Sequence, residues 1–122
     1  MKIIYVLLFV LILLINKCDA KPPIFLDNFN DAKVVSKDLK QPIILLLSAD
    51  WCQYCNKLKK EITNNLDKFN DTTICIVDIE KYPDIAKEFK ARKIPKTIVF
   101  DSKGNKLKEI KGYTDIENLL VK

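Results

Sequence analysis

Cys52 and Cys55 stand with two residues between them in SADWCQYCNKL, residues 48–58. A pair at that spacing can grip a metal, staple a fold or carry electrons by opening and closing a disulfide. A closed zinc site needs about four ligands, usually Cys and His. The chain has no histidine. One Cys-x-x-Cys supplies two sulfurs, and Cys75 lies inside the apolar run TICIV. A complete zinc site would therefore need a second chain or many carboxylates, and a copper role would rest on two thiolates alone, so no metal is expected. The lack of histidine also removes Ser-His and Cys-His hydrolase chemistry and any imidazole general base.

The redox reading depends on where the pair sits. PIILLLSA, immediately before the motif, is a short unalternating apolar run, as expected of a strand covered on both faces. From Cys55 the apolar spacing becomes helical through Leu58, Ile62, Leu66 and Phe69, with Lys57, Lys59, Lys60 and Glu61 between. Cys52 thus falls where a buried strand hands over to a helix. The helix start offers free N–H donors and partial positive charge, both of which favour a thiolate. The thiolate is the nucleophile of disulfide exchange, which makes Cys52 the attacking sulfur and Cys55, one turn inside, the resolving one. Lys57, Lys59 and Lys60 push the Cys52 thiol toward ionisation; Asp50 opposes them. An inert structural disulfide is the plain alternative.

The other elements follow from pattern. Ile24 to Leu26 form a brief edge strand after KPP. Phe29, Ala32, Val35 and Leu39 give an amphipathic helix that Gln41 and Pro42 end. TTICIVDIE is a second buried strand. YPDIAKEFKAR is a helix with Pro83 in its first turn and Ile85, Ala86 and Phe89 inward. KTIVF, the turn DSKGN and KLKEIKG make an antiparallel hairpin, with Leu107 and Ile110 alternating imperfectly. TDIENLLVK closes the chain as a helix, with Thr114 and Glu117 as a capping box and Ile116, Leu119 and Leu120 buried. This order predicts an α/β sandwich, parallel core first and hairpin last, with helices on both faces. Cys75 reads as a buried core thiol, with a regulatory thiol as the alternative.

The 122 residues suit one domain, and 48% hydrophobic with 30% charged residues gives both a core and a soluble surface. The beginning differs from the rest. Met1 and Lys2 precede Ile3 to Ile15, an uncharged stretch of about 13 residues, short of the roughly 20 a spanning helix needs. Cys18 and Ala20 follow as small residues at alternate positions. Residues 1–20 are therefore expected to be a signal peptide cleaved after Ala20, with the domain at 21–122. The alternatives are an uncleaved membrane anchor and, against Asn16 and Lys17, a lipid-modified Cys18. Cleavage would lower the net charge from +5 to about +4 and leave three cysteines, of which at least one cannot pair within the chain. Export leads to a periplasm, an ER lumen or the extracellular space, where disulfides persist. The evenly spread lysines give no case for nucleic acid; a membrane is a partner only if the leader stays attached.

SADWCQYC resembles the active-site segment of the thioredoxin-like family, in which WCxxC follows a buried strand. KARKIPKTIVFDSKGN resembles that family's Ile/Val-Pro, strand, turn and Gly, and GYTDIENLL its closing Gly and last helix. The resemblance spans roughly residues 27 to 121 and implies a thioredoxin fold, a central mixed β-sheet flanked by helices on both faces. It further implies that Pro95 is a cis-proline beside the dithiol, that the Ile94 backbone pairs with an extended substrate segment, and that Trp51 shields the dithiol and shapes the docking surface. Core packing is the plain alternative for Trp51. The groove around Trp51, Gln53, Tyr54, Ile94 and Pro95 would receive substrate.

Two positions depart from the family's commonest pattern. Leu46 stands where a buried Asp, six residues before the first cysteine, assists proton transfer; another group or water must serve, and Glu61 is far along the helix. Lys96 stands where Thr often follows the cis-proline, and a cation there would stabilise a thiolate or select acidic substrates. Gln53 and Tyr54 replace the commonest Gly-Pro, with neither the His of strong oxidants nor the Pro of strong reductants. The expected function is exported thiol–disulfide oxidoreduction, reducing or isomerising protein disulfides. It would need no cofactor beyond the Cys52–Cys55 pair, and its partners would be client proteins and an upstream redox protein. A binding or chaperone module with incidental cysteines, or a membrane-tethered electron relay, are the alternatives.

Overall fold

A computed structural model describes residues 1–15 and 19–121. The N-terminal helix α1 (Lys2–Ile15) exposes its apolar side chains from Ile3 to Leu14. Among the described residues, no helix is long and apolar enough to cross a membrane. Cys18, on which the lipidation reading falls, lies outside the described residues.

The sheet has five strands: β1 (Ile24–Leu26), β2 (Ile43–Ser48), β3 (Thr73–Asp78), β4 (Lys96–Phe100) and β5 (Lys106–Lys111), in the order β1-β3-β2-β4-β5. β1 and β2 both run parallel to β3, while β4 is antiparallel to β2 and to β5. β2 is central and buried along its whole length, which accounts for its unbroken apolar sequence. On one face Ile43, Leu45, Leu47, Cys75, Val77, Ile98 and Phe100 pack with Phe29 and Ala32 of α2 (Phe29–Leu39) and with the half-buried Ile85 of α4 (Pro83–Glu88). On the other, Ile44, Leu46, Ile74 and Val99 meet Leu58 and Ile62 of α3 (Gln53–Thr63) together with Phe69, Ile116 and Leu119. Two covered faces and a mixed sheet give the expected α/β sandwich.

Several boundaries differ from the sequence expectation. α2 is capped at its start by Asn28, whose side chain accepts from the Asp31 N–H, and at its end by Lys40 in the left-handed conformation. Its inward face carries Ser36 rather than Leu39: the Ser36 hydroxyl donates to the Gln41 carbonyl, and Leu39 is exposed. The helix after Cys55 is not continuous, because α3 stops at Thr63 and a separate 3-10 turn, Leu66–Phe69, delivers Phe69 to the core. α4 ends at Glu88, short of the predicted Arg92, although Pro83 does open it. Leu107 is 50% exposed because a register irregularity at Val99/Phe100 leaves it without a cross-strand partner. The closing helix is only a 3-10 turn, Ile116–Leu119, with no side-chain cap. Thr114 instead accepts from the Asn118 side chain, so the capping box does not form.

Candidate functional site

β2 ends at Ser48, and the chain turns through Ala49 to Trp51 before α3 begins. Cys52 is the N-cap of α3: its backbone is extended and its sulfur accepts the Cys55 N–H at 3.2 Å. Its carbonyl accepts from Asn56, the first full turn of the helix. The Cα atoms of Cys52 and Cys55 are 5.2 Å apart and the two sulfurs are joined as a disulfide. Cys52 is 8% exposed and Cys55 is wholly buried, so the sulfur reachable from outside is the one at the positive end of the helix. The Asn56 side chain donates to the Asp50 carbonyl and fastens the preceding loop to the helix.

The opposite wall comes from the loop entering β4. The Ile94–Pro95 peptide bond is cis. The Ile94 carbonyl oxygen lies 3.8 Å from Cys52 Sγ. The Pro95 carbonyl in turn accepts from the N–H of Gly112, whose φ of 84° belongs to the left-handed region that favours glycine. Cys52 and Ile94 are therefore neighbours although 42 residues separate them in sequence.

Around this centre the surface is aromatic. Trp51 is 66% exposed, which removes the core-packing reading; its indole N–H donates to Glu80 at 2.6 Å. Glu80 follows Asp78, whose carboxylate accepts from the Glu80 and Lys81 N–H groups and fixes that turn. Tyr54 is 62% exposed, with its ring 5.7 Å from that of Tyr113. Tyr113 donates its hydroxyl to Glu61 at 2.6 Å and carries Lys57 over its ring at 4.7 Å. The Glu61 hydrogen bond pushes the Tyr113 phenol up to about 12. Gln53, also exposed, completes the motif. The structure thus brings Trp51, Gln53, Tyr54, Cys52, Cys55, Ile94 and Pro95 to one end of the sheet.

Glu80 and Tyr113 were not evident from the sequence as neighbours of the motif. Tyr113 directly follows the glycine that closes the hairpin, a signal that could have suggested it. Glu61 is tied to Tyr113 and half-buried on α3.

Lys96 does not serve the sulfurs as a free cation. It alternates with Thr97 and so belongs to the face bearing α2 and α4, away from α3. Its ammonium is buried, donates to the Phe89 carbonyl at 2.6 Å and pairs with Glu109 at 2.6 Å. A lysine there caps the end of α4 and anchors β5. Hydrogen bonds from Lys96 and Lys106 hold the Glu109 carboxyl down to about 2. Cys75 lies on this same face; burial, reinforced by Asp27 and Asp31, pushes its thiol up to about 12. That combination fits the core reading and not a regulatory thiol.

Leu46, at the position of the family's buried acid, is fully buried among Ile44, Leu58 and Val99. Two hydroxyls in this region, Ser48 Oγ and Thr97 Oγ1, are buried without a hydrogen-bond partner among the described residues. An unpaired buried polar group costs about 1–3 kcal/mol.

Comparison with known proteins agrees with this geometry. A family model described as a thioredoxin-like domain matches residues 29–121. The chain is 34% identical over 85 residues to thioredoxin H2 of Arabidopsis thaliana, covering 70% of this chain and 60% of that protein. It is 30% identical over 87 residues to thioredoxin-2 of Pyricularia oryzae, covering 70% of this chain and 50% of that protein. The match thus spans about half to three-fifths of these relatives' length. Among solved structures, thioredoxin NaTrxh from Nicotiana alata superposes with a TM-score of 0.67 at 20% identity, over 84% of this chain and 91% of that one, which speaks for the fold.

Proposed function

The chain belongs to the thioredoxin-like family, and from that membership we propose that it is a thiol–disulfide oxidoreductase acting on protein disulfides through Cys52 and Cys55. The observation that carries this reading is the placement of Cys52. It is the accessible sulfur, it caps α3 and accepts an N–H there, and it lies 3.8 Å from the Ile94 carbonyl.

In the reductive direction the Cys52 thiolate attacks one sulfur of a client disulfide. A Cys52–client bond forms, and the other client sulfur leaves with the electron pair and takes up a proton. Cys55 then attacks Cys52 Sγ, the mixed disulfide breaks, and the second client sulfur leaves as a thiol. The pair ends oxidised and the client reduced by two electrons. The Cys52 N-cap geometry stabilises the attacking thiolate through the Cys55 N–H and the helix start. The Ile94 backbone at the cis-Pro95 turn is suited to hold an extended client segment by main-chain hydrogen bonds. Trp51, Gln53 and Tyr54 supply exposed surface for the client's side chains. No cofactor beyond the dithiol is needed, and an upstream redox protein would return the electrons. The leader supports an exported location, where client disulfides persist.

Turnover in an insulin-reduction assay with the full chain tests the reading. Cys52→Ser abolishes turnover, and Cys55→Ser accumulates mixed disulfides with clients. Turnover that survived in the Cys52 variant would refute the assignment. The reduction potential of the pair sets the direction: a value near about −270 mV means a reductase, and one near about −120 mV an oxidant.

A further inference from the structure

We propose that the buried hydroxyls of Ser48 and Thr97 donate hydrogen bonds to the sulfur of Cys55 as it ionises, taking the part that a carboxylate at position 46 would otherwise play. The inference rests on the dithiol reading above and extends it to the resolving step.

The placement follows from register. Leu46 of β2 stands opposite Thr97 of β4. Cross-strand partners share a sheet face, and residues two apart along a strand return to it. Ser48, Leu46 and Thr97 therefore lie on the face that carries Ile44 and Val99, against which α3 packs. Cys55, Leu58 and Ile62 recur at three- and four-residue spacing on α3 and are all fully buried. Since Leu58 and Ile62 belong to the cluster containing Leu46 and Val99, Cys55 faces the same surface one turn nearer the motif. Ser48 ends β2, and Thr97 lies two residues beyond the cis-proline. Both hydroxyls are thus at the sheet end where the dithiol lies. Both are at least nine-tenths buried, and neither has a hydrogen-bond partner among the described residues.

A buried thiol that must ionise in an apolar setting meets a desolvation barrier, which donors aimed at the anion lower. In the resolving step the Cys55 S–H bond breaks and Cys55 Sγ bonds to Cys52 Sγ. The Cys52–client bond breaks, and the client sulfur leaves with the electron pair and gains a proton. The two O–H groups keep their protons and serve only as donors to the transient thiolate. Several charged groups on the elements around this face are engaged elsewhere. Asp78 of β3 accepts turn N–H groups, Glu61 of α3 accepts from Tyr113, Lys57 of α3 covers the Tyr113 ring, Lys108 of β5 donates to the Leu120 carbonyl, and Lys68 pairs with Glu117. Lys59 of α3 is half-buried.

The test is rapid-mixing reaction of the reduced full chain with a chromogenic aromatic disulfide (Ellman's reagent). With Cys18→Ser in every chain and Cys75 buried, the first chromophore reports attack by Cys52, and the second reports its displacement by Cys55. Thr97→Val keeps the side-chain shape and removes the hydroxyl; Ser48→Ala and the double variant complete the set, and Thr97→Ser restores a hydroxyl. The expected result is an unchanged first phase, with a second phase slowed roughly tenfold or more in the double variant. The pH profile of that phase should move to higher pH, and Thr97→Ser should stay near wild type. A second phase with wild-type rate and pH profile in the folded Thr97→Val and Ser48→Ala chains would overturn the proposal. A wild-type chain with no second phase would remove the dithiol reading itself, and this inference with it.

Discussion

Leu46 shows how much one side chain carries at this site. It is wholly buried between α3 and the sheet, so truncating it leaves a cavity as well as losing apolar burial. Leu46→Ala should cost about 2–5 kcal/mol, read as a lower urea midpoint with an unchanged slope. Tyr113 gives a second test at this scale. Its phenol is raised from 10.0 to about 12 in the fold by the hydrogen bond to Glu61. A group raised on folding contributes stability that is present below its unfolded value and lost as pH climbs through the folded one. Wild type should therefore lose stability between pH 10 and about 12. Tyr113→Phe should show less of that decline in denaturant titrations across the same window. At this scale the sequence was most legible where function is local. Trp51, Cys52, Gln53, Tyr54 and Cys55 are contiguous, and their surroundings follow from one strand-to-helix junction. Glu80 and Tyr113 reach the motif only through tertiary packing, which no local pattern encodes.

Elements were legible where their apolar pattern was strong. β2, β3 and β4 are apolar because both sheet faces are covered, and that composition marks them without reference to neighbours. The failures occurred where pairing or capping overrides pattern. Leu107 looked inward by alternation, but the irregularity at Val99/Phe100 breaks the alternation. The Thr114–Glu117 spacing suggested a capped helix, yet Asn118 engages Thr114, Lys68 engages Glu117, and a single 3-10 turn suffices to bury Ile116 and Leu119. Lys96 read as a cation for the site, but β-alternation sends it to the other face, where it joins α4 to β5. That junction has a testable acid signature. The Glu109 carboxyl is lowered from 4.5 to about 2, so its contribution is present above pH 4.5 and fades as pH falls toward 2. Glu109→Gln should lower stability at neutral pH, by leaving the buried Lys96 ammonium short of a partner. It should also flatten the acid limb of the stability profile, followed by circular dichroism against pH.

For the molecule as a whole, the sandwich is self-contained from Lys21 onward. The Lys21 N–H donates to the Asp71 side chain, the Asp71 N–H donates back to the Lys21 carbonyl, and β1 follows at once. Among the described residues, α1 contributes to neither core cluster. A chain beginning at Lys21 should therefore keep the urea midpoint of the full chain within about 0.5 kcal/mol equivalent, measured side by side. The fold class was readable at this scale because strand and helix patterns alternate in one order; the relation of α1 to the rest was not, since no pattern in α1 specifies a partner surface. The burial of Cys75 bears on how such measurements are made. With its sulfur sealed between β1 and β2 and its thiol pushed up to about 12, it should ignore alkylating reagents until the sheet parts. Its labelling rate in the native chain is then a clock for rare openings of the central sheet. The same seal keeps the Cys75 sulfur out of thiol–disulfide exchange while the native sheet stays closed.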